Sequence, residues 1–321
     1  MTLRLALLAA LVAVPPALPA FLVTTLTEVL ILALFAMSLD LLVGYTGLDS
    51  FGHAAVYGLG AYTTALVLLH TGTPLPLALL AGAVATAVVA LPIAWFCTRT
   101  TGVSFAMLTL AFAQLLYAIA YKWQSGTGGS DGLAGVPRTP GPFGMGWFTS
   151  RLGFYYLAAA CVVGAFVFCR AFVRSPVGTA LLAIRDDERK ADALGYDPRR
   201  YKILVFVVAA FFGGLAGALY APFAGFASPD LFFWVLSGQA LVMVIIGGAG
   251  TLAGPIVGAA VFYLLEHYLS AITNSWALVL GLIFIAFVLF VPEGIWGLVR
   301  RRRAAAAAVP FGEAEHGATV S

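Results

Sequence analysis

The stretch Ser175-Pro-Val-Gly-Thr-Ala-Leu-Leu-Ala-Ile-Arg-Asp-Asp-Glu-Arg-Lys-Ala-Asp-Ala-Leu-Gly195 sits inside a polar island, Arg170 to Lys202, that carries eight Lys/Arg and five Asp/Glu. The sequence on either side is apolar enough for a bilayer. Charges are costly in hydrocarbon, so a segment this polar must lie in water between two blocks of membrane helices. The island is therefore the place to look for an element that a soluble partner grips.

Composition outside the island agrees. Of 321 residues, 62% are hydrophobic and 10% charged, and the mean hydropathy is +1.00. A soluble domain carries about 25% charged residues. The fold class is all-α: a polytopic membrane protein of about ten transmembrane or partly re-entrant helices. The formal net charge of +3 comes from the island and from Arg300-Arg301-Arg302-Arg303, which gives a nucleic-acid partner no support. Cys97, Cys161 and Cys169 form no CxxC pair and read as small buried hydrophobes. No HExxH spacing occurs among the histidines, and no metal site or cofactor is suggested.

A helix needs roughly 20 apolar residues to cross the hydrocarbon core. Laid along the chain, that length gives ten spans, at 4–23, 26–43, 53–70, 76–97, 103–121, 152–172, 203–222, 234–248, 255–270 and 276–292. The spans at 234–248 and 255–270 are short and flanked by Gly247-Gly-Ala-Gly250 and Gly254-Pro255, so either is open to being a half-helix or a re-entrant segment. With the island inside, fourteen of the seventeen Lys/Arg fall on one face and Lys122, Arg138 and Arg151 on the other. Positive charge marks the cytoplasmic side, so both termini are expected there. The first span, ending Ala17-Leu-Pro-Ala20, also has features of a cleavable signal peptide. Residues 1–300 read as one membrane domain with a cytoplasmic loop at 173–202, and 301–321 as a mobile polar tail.

Within the island, Ser175-Pro176 stops one helix and Pro198 closes the segment. Between them, Leu181, Ile184, Glu188 and Ala191 recur at helical spacing, which predicts an amphipathic helix over 180–193 ended by Leu194-Gly195, with Gly195 in a close-packed turn. The residues alone fit a docking helix and a solvated loop equally. Elsewhere, Asp49 or Ser50 is expected to cap the third span, with His53 in its first turn. Ser50, His53, mid-span Gln114 and the Thr127-Gly128 turn are the candidates for a polar path through the bundle; a packing role fits His53 as well. Glu28, Asp40 and Glu266 fall near predicted span ends, where snorkelling or capping accounts for them. Gly213/Gly217 and Gly250/Gly254/Gly258 permit close helix crossings, and the Gly254-Pro255 break is a candidate hinge.

A family resemblance ties these pieces together. Ser175-Pro-Val-Gly178, Ala183-Ile-Arg-Asp-Asp-Glu188, Ala191-Asp-Ala-Leu-Gly195 and Arg200-Tyr-Lys202 resemble the cytoplasmic loop of LivM-type permeases, the membrane subunits of branched-chain amino acid ABC importers. Matching blocks follow in family order: Gly44-Tyr-Thr-Gly47, Ser50-Phe-Gly-His-Ala-Ala55, Gly58-Leu-Gly-Ala-Tyr62, Phe105-Ala-Met-Leu-Thr-Leu110, Thr127-Gly-Gly-Ser-Asp-Gly132, Gly214-Leu-Ala-Gly-Ala-Leu-Tyr220 and Gly247-Gly-Ala-Gly-Thr-Leu-Ala-Gly-Pro255. Together they span roughly residues 28–300. Thr179 and Arg189-Lys190 depart from the usual pattern. The resemblance implies a short coupling helix that seats in an ATPase subunit through Arg185, Glu188, Ala191, Leu194 and Gly195.

It further implies a second related permease, two ABC ATPase subunits and a periplasmic substrate-binding protein, in a bacterial inner membrane. The chain lacks any Gly-Lys pair and so has no P-loop to cradle a nucleotide. Hydrolysis is thus expected in partner subunits, and the chain itself is not expected to be an enzyme. Branched-chain amino acids are the cargo this family implies, with urea or short amides, or a stand-alone secondary transporter, as alternatives. A secondary transporter would need paired charges near mid-span, which the sequence does not offer convincingly.

Overall fold

The computed structural model describes residues 15–141, 144, 146–273, 275–290 and 294–297. Eleven helices carry the architecture. They are α1 (Ala20–Thr46), α2 (His53–Thr71), α3 (Leu75–Cys97), α4 (Val103–Lys122), α5 (Arg151–Arg174), α6 (Pro176–Asp186), α7 (Glu188–Ala193), α8 (Pro198–Ala224), α9 (Trp234–Gly247), α10 (Ala253–Ile272) and α11 (Trp276–Phe290). Seven of them, α1 to α5, α8 and α10, are long and apolar enough to cross a membrane, and α9 is a shorter apolar helix. The protein is an all-α polytopic membrane protein.

These segments are helical because hydrocarbon offers the backbone no partner but itself. They are apolar around their whole circumference, as lipid-facing helices must be. Val88 and Leu91 of α3, Leu115 of α4 and Leu264 of α10 point outward, while α1 is buried through its second half from Ile31 to Leu42. At the centre, α8 packs against α1, α2 and α3, and α10 packs against α1 and α9. Small residues allow this. A Cβ on Gly60 of α2 would stand 2.6 Å from the Gly214 carbonyl carbon of α8, and one on Gly217 would stand 2.7 Å from that of Tyr57.

Three expectations are revised. The break placed at residues 24–25 does not occur, since α1 runs unbroken from Ala20 to Thr46. Thr24 and Thr27 donate back to the carbonyls of Ala20 (3.0 Å) and Val23 (2.7 Å), so their hydroxyls are satisfied without interrupting the helix. Residues 1–14 of the first predicted span, and the tail 301–321, lie outside the described residues. Of the two short spans, α9 has 14 residues, about 21 Å at 1.5 Å per residue, and is too short for a full crossing, whereas α10 has 20 residues.

The third revision concerns the start of α2. Its N-cap is Gly52, without a side-chain cap, so neither Asp49 nor Ser50 fills that role. The helix begins deep in the bundle: His53 Nε2 lies 2.8 Å from the Ser38 hydroxyl, eight residues inside the end of α1, about 12 Å along its axis. At that depth the free amides need protein partners, and Ala54 N–H donates to Ser237 Oγ of α9 at 2.7 Å. Two-residue strands β1 (Leu133–Ala134) and β2 (Phe226–Ala227) pair antiparallel, Leu133 with Ala227 and Ala134 with Phe226. Arg138 fastens this connection by donating to the carbonyls of Pro222 and Phe223 at the end of α8, each at 3.0 Å.

Candidate functional site

The island folds as a helical hairpin against the bundle end. Ser175 closes α5, its hydroxyl donating to the Phe172 carbonyl at 2.6 Å, and Pro176 opens α6 at a position where no amide is needed. Only glycine fits at 178, where a Cβ would stand 2.6 Å from Val173 Cα. The single helix expected over 180–193 is broken at Asp187. There the backbone turns extended (φ −158°, ψ 102°), and the carboxylate accepts from the Lys190 amide at 3.1 Å to cap α7. An aspartate serves better as an N-cap than inside a helix, which explains the break. That amide, and the Lys190 ammonium after it, hold the Asp187 carboxyl below the usual carboxylate range.

Leu181, Ile184 and Ala191 are buried against the bundle, while Leu194 is 77% exposed. Gly195 ends α7 with φ +90°, its amide bonded to the Asp192 carbonyl at 2.9 Å. The turn is not close-packed as expected, since a Cβ on Gly195 meets no atom within 4 Å. What favours glycine there is the backbone angle alone. Pro198 does not close the segment but occupies the first turn of α8, behind the Asp197 N-cap.

Two side chains clamp this hairpin. Glu188 Oε2 pairs with Lys202 Nζ at 2.6 Å, and Lys202 is buried in the second turn of α8. Arg185 Nη1 donates to the Gly44 carbonyl, 2.6 Å away near the end of α1. Gly44 is also where the glycine-rich loop between α9 and α10 arrives, because a Cβ on it would stand 2.6 Å from Gly250 Cα. One turn back, buried Asp40 accepts from the amides of Gly250 (2.7 Å) and Leu252 (3.0 Å). Leu252 has φ +54°, the one non-glycine positive φ among the described residues. The loop is therefore held against α1 in a conformation that an unanchored chain would leave.

Asp40 thus neither snorkels nor caps its own helix, as its place near a predicted span end suggested. Its partners lie 210 and 212 residues away. Beyond the loop, Gly254 stands against Gly247, and a Cβ on Gly258 would lie 2.9 Å from the Gly247 nitrogen, so α9 and α10 nearly touch around Pro255. Gly213 faces α2 in the same manner, 2.9 Å from Val56 Cγ2 by the same measure.

The polar candidates inside the bundle do not form one cluster. Ser50 Oγ and Gln114 Nε2 are buried without a hydrogen-bond partner among the described residues. His53 is occupied by Ser38 and stacks on Phe35, with ring centroids 5.3 Å apart. The Thr127 hydroxyl lies 2.6 Å from both the Ala120 and the Trp123 carbonyl and so closes the end of α4, while Gly128 follows with φ +76°. No three His, Cys, Asp or Glu side chains gather as metal ligands among the described residues.

The sequence model of the family described as branched-chain amino acid transport system, permease component, matches residues 21–290. The chain is 30% identical over 305 residues to the high-affinity branched-chain amino acid transport system permease protein LivM of Escherichia coli (strain K12), covering 87% of this chain and 70% of that protein. It is 30% identical over 301 residues to LivM of Salmonella typhimurium, covering 85% and 69%. The corresponding permease protein LivH of Escherichia coli (strain K12) is 26% identical over 287 residues, covering 83% of this chain and 91% of LivH. No solved structure matches. An all-α membrane bundle with a clamped polar hairpin, matched along most of its length by these proteins, belongs to the family of branched-chain amino acid transport permeases.

Proposed function

We propose that this chain is the membrane subunit through which an ABC importer passes branched-chain amino acids handed over by a periplasmic binding protein. It pairs with a second, LivH-like permease and is driven by two ATPase subunits. It lies in a bacterial inner membrane with both termini and the island in the cytoplasm. In this reading the chain hydrolyses nothing itself.

The observation that carries the reading is the clamp: α6 and α7 expose Leu194 while Arg185 ties the hairpin to Gly44, the point that the Asp40-anchored loop also touches. Ala191, expected to be part of the docking face, is buried against the bundle instead, so an ATPase gripping Glu188, Leu194 and Gly195 would push on α1 and on the α9–α10 loop together. Close backbone contacts transmit such a push as rigid displacement, since packed interfaces shift between discrete arrangements. Gly250, Gly254 and Pro255 then act as the hinge, and the Gly213 and Gly217 crossing as the fixed bearing. Ser50 and Gln114, with His53 and the Thr127-Gly128 turn at its edges, supply the sparse polar lining of the path.

The test is reconstitution in proteoliposomes with a LivH-like permease, the ATPases and a leucine-loaded binding protein. ATP-dependent leucine uptake is the expected result. Uptake of urea or short amides alone would favour the alternative cargo, and uptake without ATP would favour a secondary transporter.

A further inference from the structure

Far from the hairpin, α1, α2, α8, α9 and α10 border a half-open cavity of about 400 Å³ whose lining includes Glu28, Tyr57, Tyr220, Gln239, Tyr263 and Glu266. Glu28 is sixteen residues before Gly44, which places the cavity about 24 Å along α1 from the Arg185 contact, in the opposite half of the membrane. Binding cavities for small ligands are of this size, with apolar walls and a few convergent polar groups. Here Leu32, Leu231 and Leu236 supply the apolar wall.

The polar groups are mostly unengaged. Glu28 accepts from the Tyr263 hydroxyl at 2.9 Å, but Glu266 has no hydrogen-bond or ion-pair partner among the described residues. Tyr57 is only 2% exposed, yet its hydroxyl has no hydrogen-bond partner among the described residues, and its ring lies against Tyr220 with centroids 5.7 Å apart. The phenol therefore lines the cavity with its hydroxyl free to bond what enters there. No lysine or arginine lines the cavity to neutralise the two carboxylates. The imidazole of His267 also lines the cavity, exposed and stacked on the Tyr263 ring with centroids 6.1 Å apart; carboxylates kept within a membrane bundle with no lysine or arginine beside them mark a place where a cation is received.

We propose that this cavity is a transient binding site for a zwitterionic amino acid with an aliphatic side chain. Glu28 and Glu266 receive the ammonium group, the Tyr57 and Tyr220 hydroxyls and the Gln239 amide donate to the carboxylate, and the leucines face the side chain. The assignment rests on the transport reading above and adds a position to it. Because both ends of the zwitterion find opposite partners, the desolvation of each charge is offset where a passing substrate most needs it.

The experiment uses the complete reconstituted importer and measures leucine uptake together with ATP hydrolysis stimulated by the loaded binding protein. Glu266→Gln and Glu28→Gln should each lower uptake about tenfold, the loss of one charge-assisted contact, while stimulated hydrolysis stays within about twofold. Tyr57→Phe, which removes only a hydroxyl, should lower uptake about threefold. Wild-type uptake in Glu266→Gln and Tyr57→Phe would overturn the site while leaving the transport reading intact. Failure of Glu266→Gln to assemble would assign that carboxylate a structural role and overturn the site as well. Absence of leucine uptake by the wild-type importer would instead overturn the transport reading beneath it.

Discussion

The two ends of α1 hold polar groups in opposite ways. At the end nearest the polar island, Arg185, Gly44, Asp40, Gly250 and Leu252 form a set of short hydrogen bonds. At the other end, Tyr57 and Glu266 face a cavity with no partner for their polar atoms among the described residues. A part that transmits force gains from bonds that are always made, whereas a part that passes a solute gains from bonds made only while the solute is present. The contrast sorts the polar residues of the chain into those that must not move relative to one another and those that must stay available.

If that contrast is right, the largest effect follows from removing the anchor. Asp40→Ala strips two buried amides of their acceptor, at about 1–3 kcal/mol each. It should lower the melting temperature in detergent and abolish uptake; Asp40→Asn, which keeps one acceptor oxygen, should fall between. A variant with wild-type melting and uptake would show that the loop holds itself.

A smaller effect is expected at the hairpin. Glu188→Ala leaves Lys202 buried without its partner, and because Glu188 is 41% exposed the cost is about 1–2 kcal/mol, below the 3–5 of a fully buried pair. Limited proteolysis should then cut between α6 and α8 faster than in wild type. Glu188→Gln, which retains a hydrogen bond to the ammonium, should slow that cutting again.

The smallest effect is at Gly195. Its Cβ position is open, so Gly195→Asn should cost only a few tenths of a kcal/mol and Gly195→Ala about 1 kcal/mol, both through the positive φ. ATPase association measured by co-purification should change little in the Asn variant. A complete loss there would mean that the ATPase itself packs against this turn, which would sharpen the docking surface to a single residue.

Much of this was readable in the residues. Local signals hold where the determining neighbour is close in sequence: Ser175-Pro176 at the end of α5, Gly195 at the end of α7, and apolar runs of membrane length, although Pro198, read as closing the island, opens α8 instead. They fail where the neighbour is distant. Asp40 meets Gly250, and Glu28 meets Tyr263 235 residues on. Both acids therefore read as groups at the ends of their own span, because nothing in a helical pattern announces which loop or helix will arrive. Ser237, which receives the Ala54 amide, escaped notice for the same reason. The break at Asp187 was open to detection, since an aspartate followed three residues later by a lysine amide suits a cap as well as a helix interior. The absence of a break at 24–25 was not, because spans of about 20 residues laid end to end divide a continuous 27-residue helix whose threonines bond back to its own carbonyls.

The central claim is that Arg185 carries the motion of the hairpin to Gly44. The most direct measurement is the number of leucine molecules imported per ATP hydrolysed by the reconstituted Arg185→Ala importer. The prediction is stimulated hydrolysis within about twofold of wild type and uptake reduced about tenfold, as expected when a single charge-assisted hydrogen bond in the transmission path is lost. An unchanged ratio, whether both rates stay or both fall together, would contradict the account.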